Sequence, residues 1–217
     1  SRLKFMPDTF VAQIRDIKLI AACSGVGTVN AALATALIAQ SYVRKQRMSD
    51  AERTIRRIGT LICTDPYYVK RRADFMHFVE VELLLARGNF DHAVREFSGV
   101  ERLHSGDPVY WLAQNGLADC ALALNDTSAI AQCRSILEHR GEAVMSFMLA
   151  LRTAGLWTRV LWSDLNLRLS KFLIDAGNPE AARPLLQECM TLWRNADPDF
   201  SGRKKAQDLL SLSTRKY

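Results

Sequence analysis

Residues 83–100 read LLLARGNFDHAVREFSGV, and the fold turns on this stretch. Leu83, Leu84 and Ala86 close an apolar helical pattern, Arg87, Gly88 and Asn89 turn the chain, and Phe90, Asp91, His92 and Ala93 open a second helix on which Phe97 and Val100 follow. Apolar residues returning every three to four positions mark one face of a helix, and a Gly-Asn pair between two such patterns marks a tight turn. The same order of residue types occurs elsewhere in the chain. Leu173, Ala176, Gly177, Asn178, Pro179, Glu180, Ala181 and Ala182 repeat it, with Leu186 and Cys189 behind them. Tyr42, Gln46, Arg47, Met48, Ser49, Asp50 and Ala51 form an earlier copy that continues through Ile55 and Ile58. Leu124, Asn125, Asp126, Thr127, Ser128 and Ala129 form a degenerate one that continues through Cys133 and Ile136.

Helical spacing extends beyond these copies, as in Leu33, Leu37, Ile38 and Tyr42, or in Phe75, Phe78, Val79, Leu83 and Leu84, whereas two-residue alternation is scarce. The spacing predicts an all-α protein without strands. Turns fall at 24–27, 64–67, 105–108, 125–127, 177–179 and 195–198, and Pro66, Pro108 and Pro198 stop the second helix of a pair. Connections this brief favour antiparallel helical hairpins. A chain of 217 residues with 48% hydrophobic composition buries a substantial core, which excludes disordered, collagen-like and disulfide-scaffold classes.

A small residue and a Leu or aromatic in the first helix, a Gly-Asn or similar turn, an Ala, a bulky apolar residue and a closing Pro together resemble the tetratricopeptide repeat (TPR) over residues 28–198. The resemblance implies helical hairpins stacked as a right-handed superhelix, preceded by an N-terminal helix and turn at 1–27 and followed by a basic C-terminal helix or tail at 199–217. Small residues at Ala39, Ala51, Ala93 and Ala182 let helix backbones approach, while Ile55, Phe97 and Leu186 fill the gap to the neighbouring pair. The units are longer than the usual repeat of about 34 residues, and the stretch 141–161 adds a further helix. First helices of such arrays line a groove for peptides or partner helices. The resemblance places Gln40, Val43 and Arg44 there from the first unit, Phe75, Phe78 and Glu82 from the second, Gln114 from the third, and Leu167, Lys171 and Ile174 from the last. Family members that clamp a peptide carboxylate use several Lys, Asn and Arg side chains on these helices. Only Arg44 and Lys171 have suitable charge here, so a hydrophobic or mixed groove is expected.

The net charge of +6 is a modest excess that attracts acidic proteins, anionic membranes or nucleic acid alike. It is unevenly spread: 40–72 holds nine Lys or Arg against three acids, and 74–107 seven acids against three Arg. Arg44, Lys45 and Arg47, then Arg53, Arg56 and Arg57, then Lys70, Arg71 and Arg72 are the candidate nucleic-acid footprint. Because Ile55, Ile58 and Ile62 form an apolar stripe on the same helix as Arg56 and Arg57, a solvated helix face is the alternative. Arg203, Lys204, Lys205, Arg215 and Lys216 read as a frayed, exposed terminal helix or tail. The densely apolar run from Trp157 through Trp162 to Leu173 predicts central burial, or else a contact for a partner.

Catalytic and metal chemistry finds no anchor in the sequence. His77, His92, His104 and His139 are dispersed, no HExxH or CxxC pattern occurs, and Cys120, Cys133 and His139 lack zinc-ligand spacing. The Gly-rich segment Ser24, Gly25, Val26, Gly27 and Thr28 has no Gly-Lys-Ser/Thr behind it and reads as a turn capped by Thr28. No Gly-x-Ser-x-Gly elbow is present. Five scattered cysteines (Cys23, Cys63, Cys120, Cys133 and Cys189) suit buried thiols in a reducing, cytoplasmic compartment. No run reaches the ~18 apolar residues of a membrane span, and the start at Ser1, without a secretory apolar region or initiator Met, suggests part of a longer chain. The expected function is a non-enzymatic scaffold or adaptor that holds a protein segment, with no catalytic residue, cofactor or metal. The alternatives are an effector-sensing arm of a bacterial signalling or transcription regulator, and an RNA-binding helical surface.

Overall fold

The structure, a computed structural model, describes residues 29–44, 46–60, 66–100, 105–150, 154–195 and 201–214. The segment 1–27, Cys23, Ser24 to Thr28, Lys45, Ile62, Cys63, His104, Pro198, Arg215 and Lys216 lie outside the described residues, as do the side chains of Tyr67, Tyr68, Val100, Trp157, Val160 and Leu161. Among the described residues there are ten helices and no strand. They are α1 (Val29–Arg44), α2 (Met48–Gly59), α3 (Pro66–Ala86), α4 (Phe90–Val100), α5 (Pro108–Ala123), α6 (Ser128–Glu138), α7 (Arg140–Ala150), α8 (Ala154–Asp175), α9 (Pro179–Leu192) and α10 (Ser201–Thr214). None is long and apolar enough to cross a membrane.

The four aligned copies fold into the same turn. Gln46, Gly88, Asn125 and Gly177 all adopt left-handed backbone, with φ of 59°, 78°, 55° and 77°. At each, the next residue's N–H reaches back five positions: Arg47 to the carbonyl of Tyr42, Asn89 to Leu84, Asp126 to Ala121 and Asn178 to Leu173, at 2.9, 2.9, 2.9 and 2.8 Å. This ending satisfies carbonyls that the last helical turn leaves open, and the left-handed residue explains the glycine in two of the copies. Five residues beyond three of these turns, and four beyond Asn125, stand Ala51, Ala93, Ala182 and Ala129, all fully buried. One helical turn further come Ile55, Phe97, Leu186 and Cys133, also buried. The small residue lets the second helix lie close to the first, and the larger one fills the next layer.

Packing runs between helices close in sequence. Within the first half, α1 touches α2 and α3, α3 touches α4 and α5, and α4 packs on α5; within the second, α8 meets α7, α9 and α10. One apolar cluster spans α1 to α5 and takes in Ala143 of α7, and a second joins α5, α6, α8, α9 and α10. They meet at α5, which sends Leu117 and Cys120 into the first and Ala118 into the second. Helix α5 also has a well-formed start: Asp107 Oδ1 accepts from the N–H of Val109 at 3.0 Å, Pro108 occupies the first turn, and Arg71 of α3 pairs with the same carboxylate. The basic terminal helix α10 is no frayed tail. Ala206 is fully buried, Leu209 and Leu210 pack on the second cluster, and Arg183 of α9 donates to the carbonyl of Ser213 at 2.7 Å.

Cys120, Cys133 and Cys189 are buried free thiols, and burial is the chief cause that pushes each up to about 12 from 9.0. Folding therefore favours the neutral thiol. This contribution is present below the unfolded thiol's range and is lost as pH climbs from about 9 toward about 12. In native protein at about pH 8, iodoacetamide is expected to leave these three unmodified and to label them once urea unfolds the chain. Peptide mass mapping reads the result, and labelling of any of the three in native protein would contradict their burial.

Candidate functional site: a charged cluster across four first helices

Four helices that open a pair (α1, α3, α5 and α8) bring polar side chains to one place. Three of them do so with residues one turn apart: Gln40 and Arg44, Asn115 and Asp119, Asp164 and Arg168. Helix α3 contributes Glu82. At the buried end, Gln40 Nε2 donates to Glu82 Oε1 at 2.8 Å, and both side chains are 3% exposed. In the middle, Arg168 Nη2 donates to Asn115 Oδ1 at 3.2 Å, Arg168 Nη1 pairs with Asp119, and Nε lies 3.1 Å from Asp164 Oδ2. At the open end, Arg44 Nη1 donates to Asp164 Oδ2 at 2.8 Å and Nη2 lies 3.6 Å from Asp119 Oδ2. Side-chain exposure rises in that direction, to 33% at Arg44 and 42% at Asp164.

Burial dominates the electrostatics of Arg168. Burial first, and then the charge of Arg44, lower the guanidinium to about 9 against the opposing charge of Glu82. The group stays cationic at neutral pH and depends on Asp119 and Asp164 to offset its desolvation. Three carboxylates face two guanidiniums, and Asn115 Nδ2 is buried without a hydrogen-bond partner. The arrangement can exchange charge-assisted hydrogen bonds with a polar ligand at its exposed end.

The structure sorts the groove residues read from sequence into three groups. Gln40, Arg44 and Glu82 converge in the cluster. Val43, Phe75 and Phe78, at 2%, 0% and 1% exposure, belong to the first apolar cluster, where the Phe78 ring lies against Phe97 of α4. Gln114 is half-buried, Leu167 and Ile174 pack partly against the second apolar cluster, and Lys171 is exposed and paired with Asp175 one turn away. Asn115, Asp119, Asp164 and Arg168 complete the site and were missed. Their signal was present in the sequence, since Asp119 between Ala118 and Cys120, and Arg168 between Leu167 and Leu169, are charges inside apolar runs.

Other polar groups lie elsewhere. His77 of α3 places Nε2 3.2 Å from one oxygen of Glu96 across the α3–α4 seam, His92 places Nε2 3.2 Å from the other oxygen one turn away on α4, and His139 Nδ1 lies 2.8 Å from the carbonyl of Ser135. Among the described residues, no group of three or more metal-ligating side chains converges. In the apolar run of α8, Leu165, Leu169 and Leu173 are buried, while Trp162 and Leu167 are half-buried. On α2, Arg53 pairs with Asp50, and Arg56 and Arg57 are exposed. Comparison with protein-family models, with curated proteins and with solved structures returns no match.

Proposed function

We propose that this chain is a TPR-like array of stacked helical hairpins, wound as a right-handed superhelix, whose first helices hold a segment of another protein, and that it acts as a scaffold or adaptor without turnover. The observation that carries this reading is the charged cluster, contributed by four successive first helices and open to solvent at Arg44 and Asp164. Four identical left-handed turns, each followed by a buried small residue, support the repeat architecture. Both cations that could have gripped a peptide carboxylate are already neutralised, Arg44 by Asp119 and Asp164, Lys171 by Asp175. The groove thus favours a segment of mixed polar and apolar character, whose charged side chains exchange with the cluster's open end.

A peptide-display screen against the intact chain tests this. The variants are Arg44→Glu alone and the swap Arg44→Asp with Asp164→Arg, which keeps an internal pair while inverting the charges shown to solvent. Selected peptides are expected to lose about tenfold or more in affinity against both, with circular dichroism unchanged. If the swap binds the same peptides as wild type, or if wild type enriches no peptide, the groove reading fails.

A further inference from the structure

A cleft of about 410 Å³ lies between α4 and α6, away from the charged cluster, with α5 as its base. Val94, Leu117, Ala121 and Leu124 give it an apolar floor, and Leu124 leaves 48% of its surface exposed there. The rim is polar: Asp91 and Arg95 from α4, Asp126 from the α5–α6 turn, Ser128 and Gln132 from α6. Asp91 and Arg95 stand one helical turn apart, where opposite charges commonly pair. They make no ion pair with each other or with another described residue. In contrast, Arg44, Arg168, Asp119 and Asp164 of the cluster described above are all ion-paired. Asp126 spends one oxygen on the N–H of Ser128 at 2.8 Å, which holds its carboxyl below the usual range and keeps it anionic.

We infer that this cleft binds a small zwitterion with an apolar body, specifically a free apolar α-amino acid. Its carboxylate would meet the Arg95 guanidinium, its ammonium the Asp91 carboxylate, and its side chain the floor of Leu117, Ala121 and Leu124. An ammonium and a carboxylate on one carbon match a carboxylate and a guanidinium one helical turn apart, and the volume falls within the range of small-molecule sites. A ligand bearing only one charge leaves Asp91 or Arg95 unanswered, so recognition requires both.

The probe is L-phenylalanine, titrated by calorimetry into the intact chain beside phenethylamine, which lacks the carboxylate, and 3-phenylpropanoate, which lacks the ammonium. L-Phenylalanine is expected to bind saturably and each analogue about tenfold or more weakly. Asp91→Asn and Arg95→Gln are each expected to weaken L-phenylalanine by about tenfold and to narrow the gap to the matching analogue. Both side chains are exposed, so these variants retain the fold. Either analogue binding as tightly as the amino acid, affinity unmoved by both variants, or no saturable binding at millimolar L-phenylalanine overturns the assignment. The Arg44 and Asp164 swap does not touch this cleft, so the two readings fail separately.

Discussion

Phe97→Ala is expected to lower the unfolding free energy by about 3–5 kcal/mol, read from the urea midpoint of the intact chain. Phe97 is fully buried on α4 and leans on Phe78 of α3, with ring centroids 6.2 Å apart. Its ring also lies against Gly116 of α5, so closely that a Cβ built there would come within 2.4 Å of it. Phe97 therefore joins three helices, and its removal opens a void at a backbone approach that cannot relax far. The reciprocal change makes the argument specific. Gly116→Ala gains about 1 kcal/mol of helix propensity, yet it is expected to destabilise by about 1–3 kcal/mol because the ring has no room to retreat. The double variant Phe97→Leu with Gly116→Ala is expected to recover part of that loss. A Gly116→Ala protein as stable as wild type would mean that α4 and α5 are not in this contact.

Asp119→Ala is expected to cost about 2–3 kcal/mol. Removing one partner of a buried ion pair typically costs 3–5 kcal/mol, and the lower figure reflects the quarter of the Arg168 side chain that reaches solvent and the remaining contact with Asp164. Arg168→Met in the same background is expected to restore most of the stability, since an apolar pair of similar volume removes the stranded charge. A double-mutant cycle by chemical denaturation measures the coupling. Additive losses would mean that Asp119 and Arg168 do not act on each other.

The part of the fold written in local chemistry was legible. Gly88 and Gly177 announce left-handed turns because an unbranched backbone tolerates them, and the alanines four or five residues on announce a close helix approach. Gln46 and Asn125 were found only by alignment to those two. The charged cluster was half legible, for a geometric reason. Sequence spacing gives the period of a helix but not the rotation of its face: on α5 the reading chose Gln114, while the next residue, Asn115, and Asp119 face the cluster. The same ambiguity put Phe75 and Phe78 on an open surface, because an aromatic pair suits a groove and a core equally well. Position in space decided between the two, and neither residue's chemistry could.

Arg44 and Asp164, which meet at 2.8 Å, are made 120 residues apart. At a synthesis rate of ~5–20 residues per second, roughly 6–24 seconds separate the emergence of the two side chains from the ribosome. During that interval α1, α2 and α3 can already pack on one another, because their contacts are local, while the guanidinium of Arg44 still awaits its counter-charge. The charged cluster is thus completed late in birth order, with only α9 and α10 still to pack, and a nascent chain carries its first helices folded but unclasped until α8 arrives.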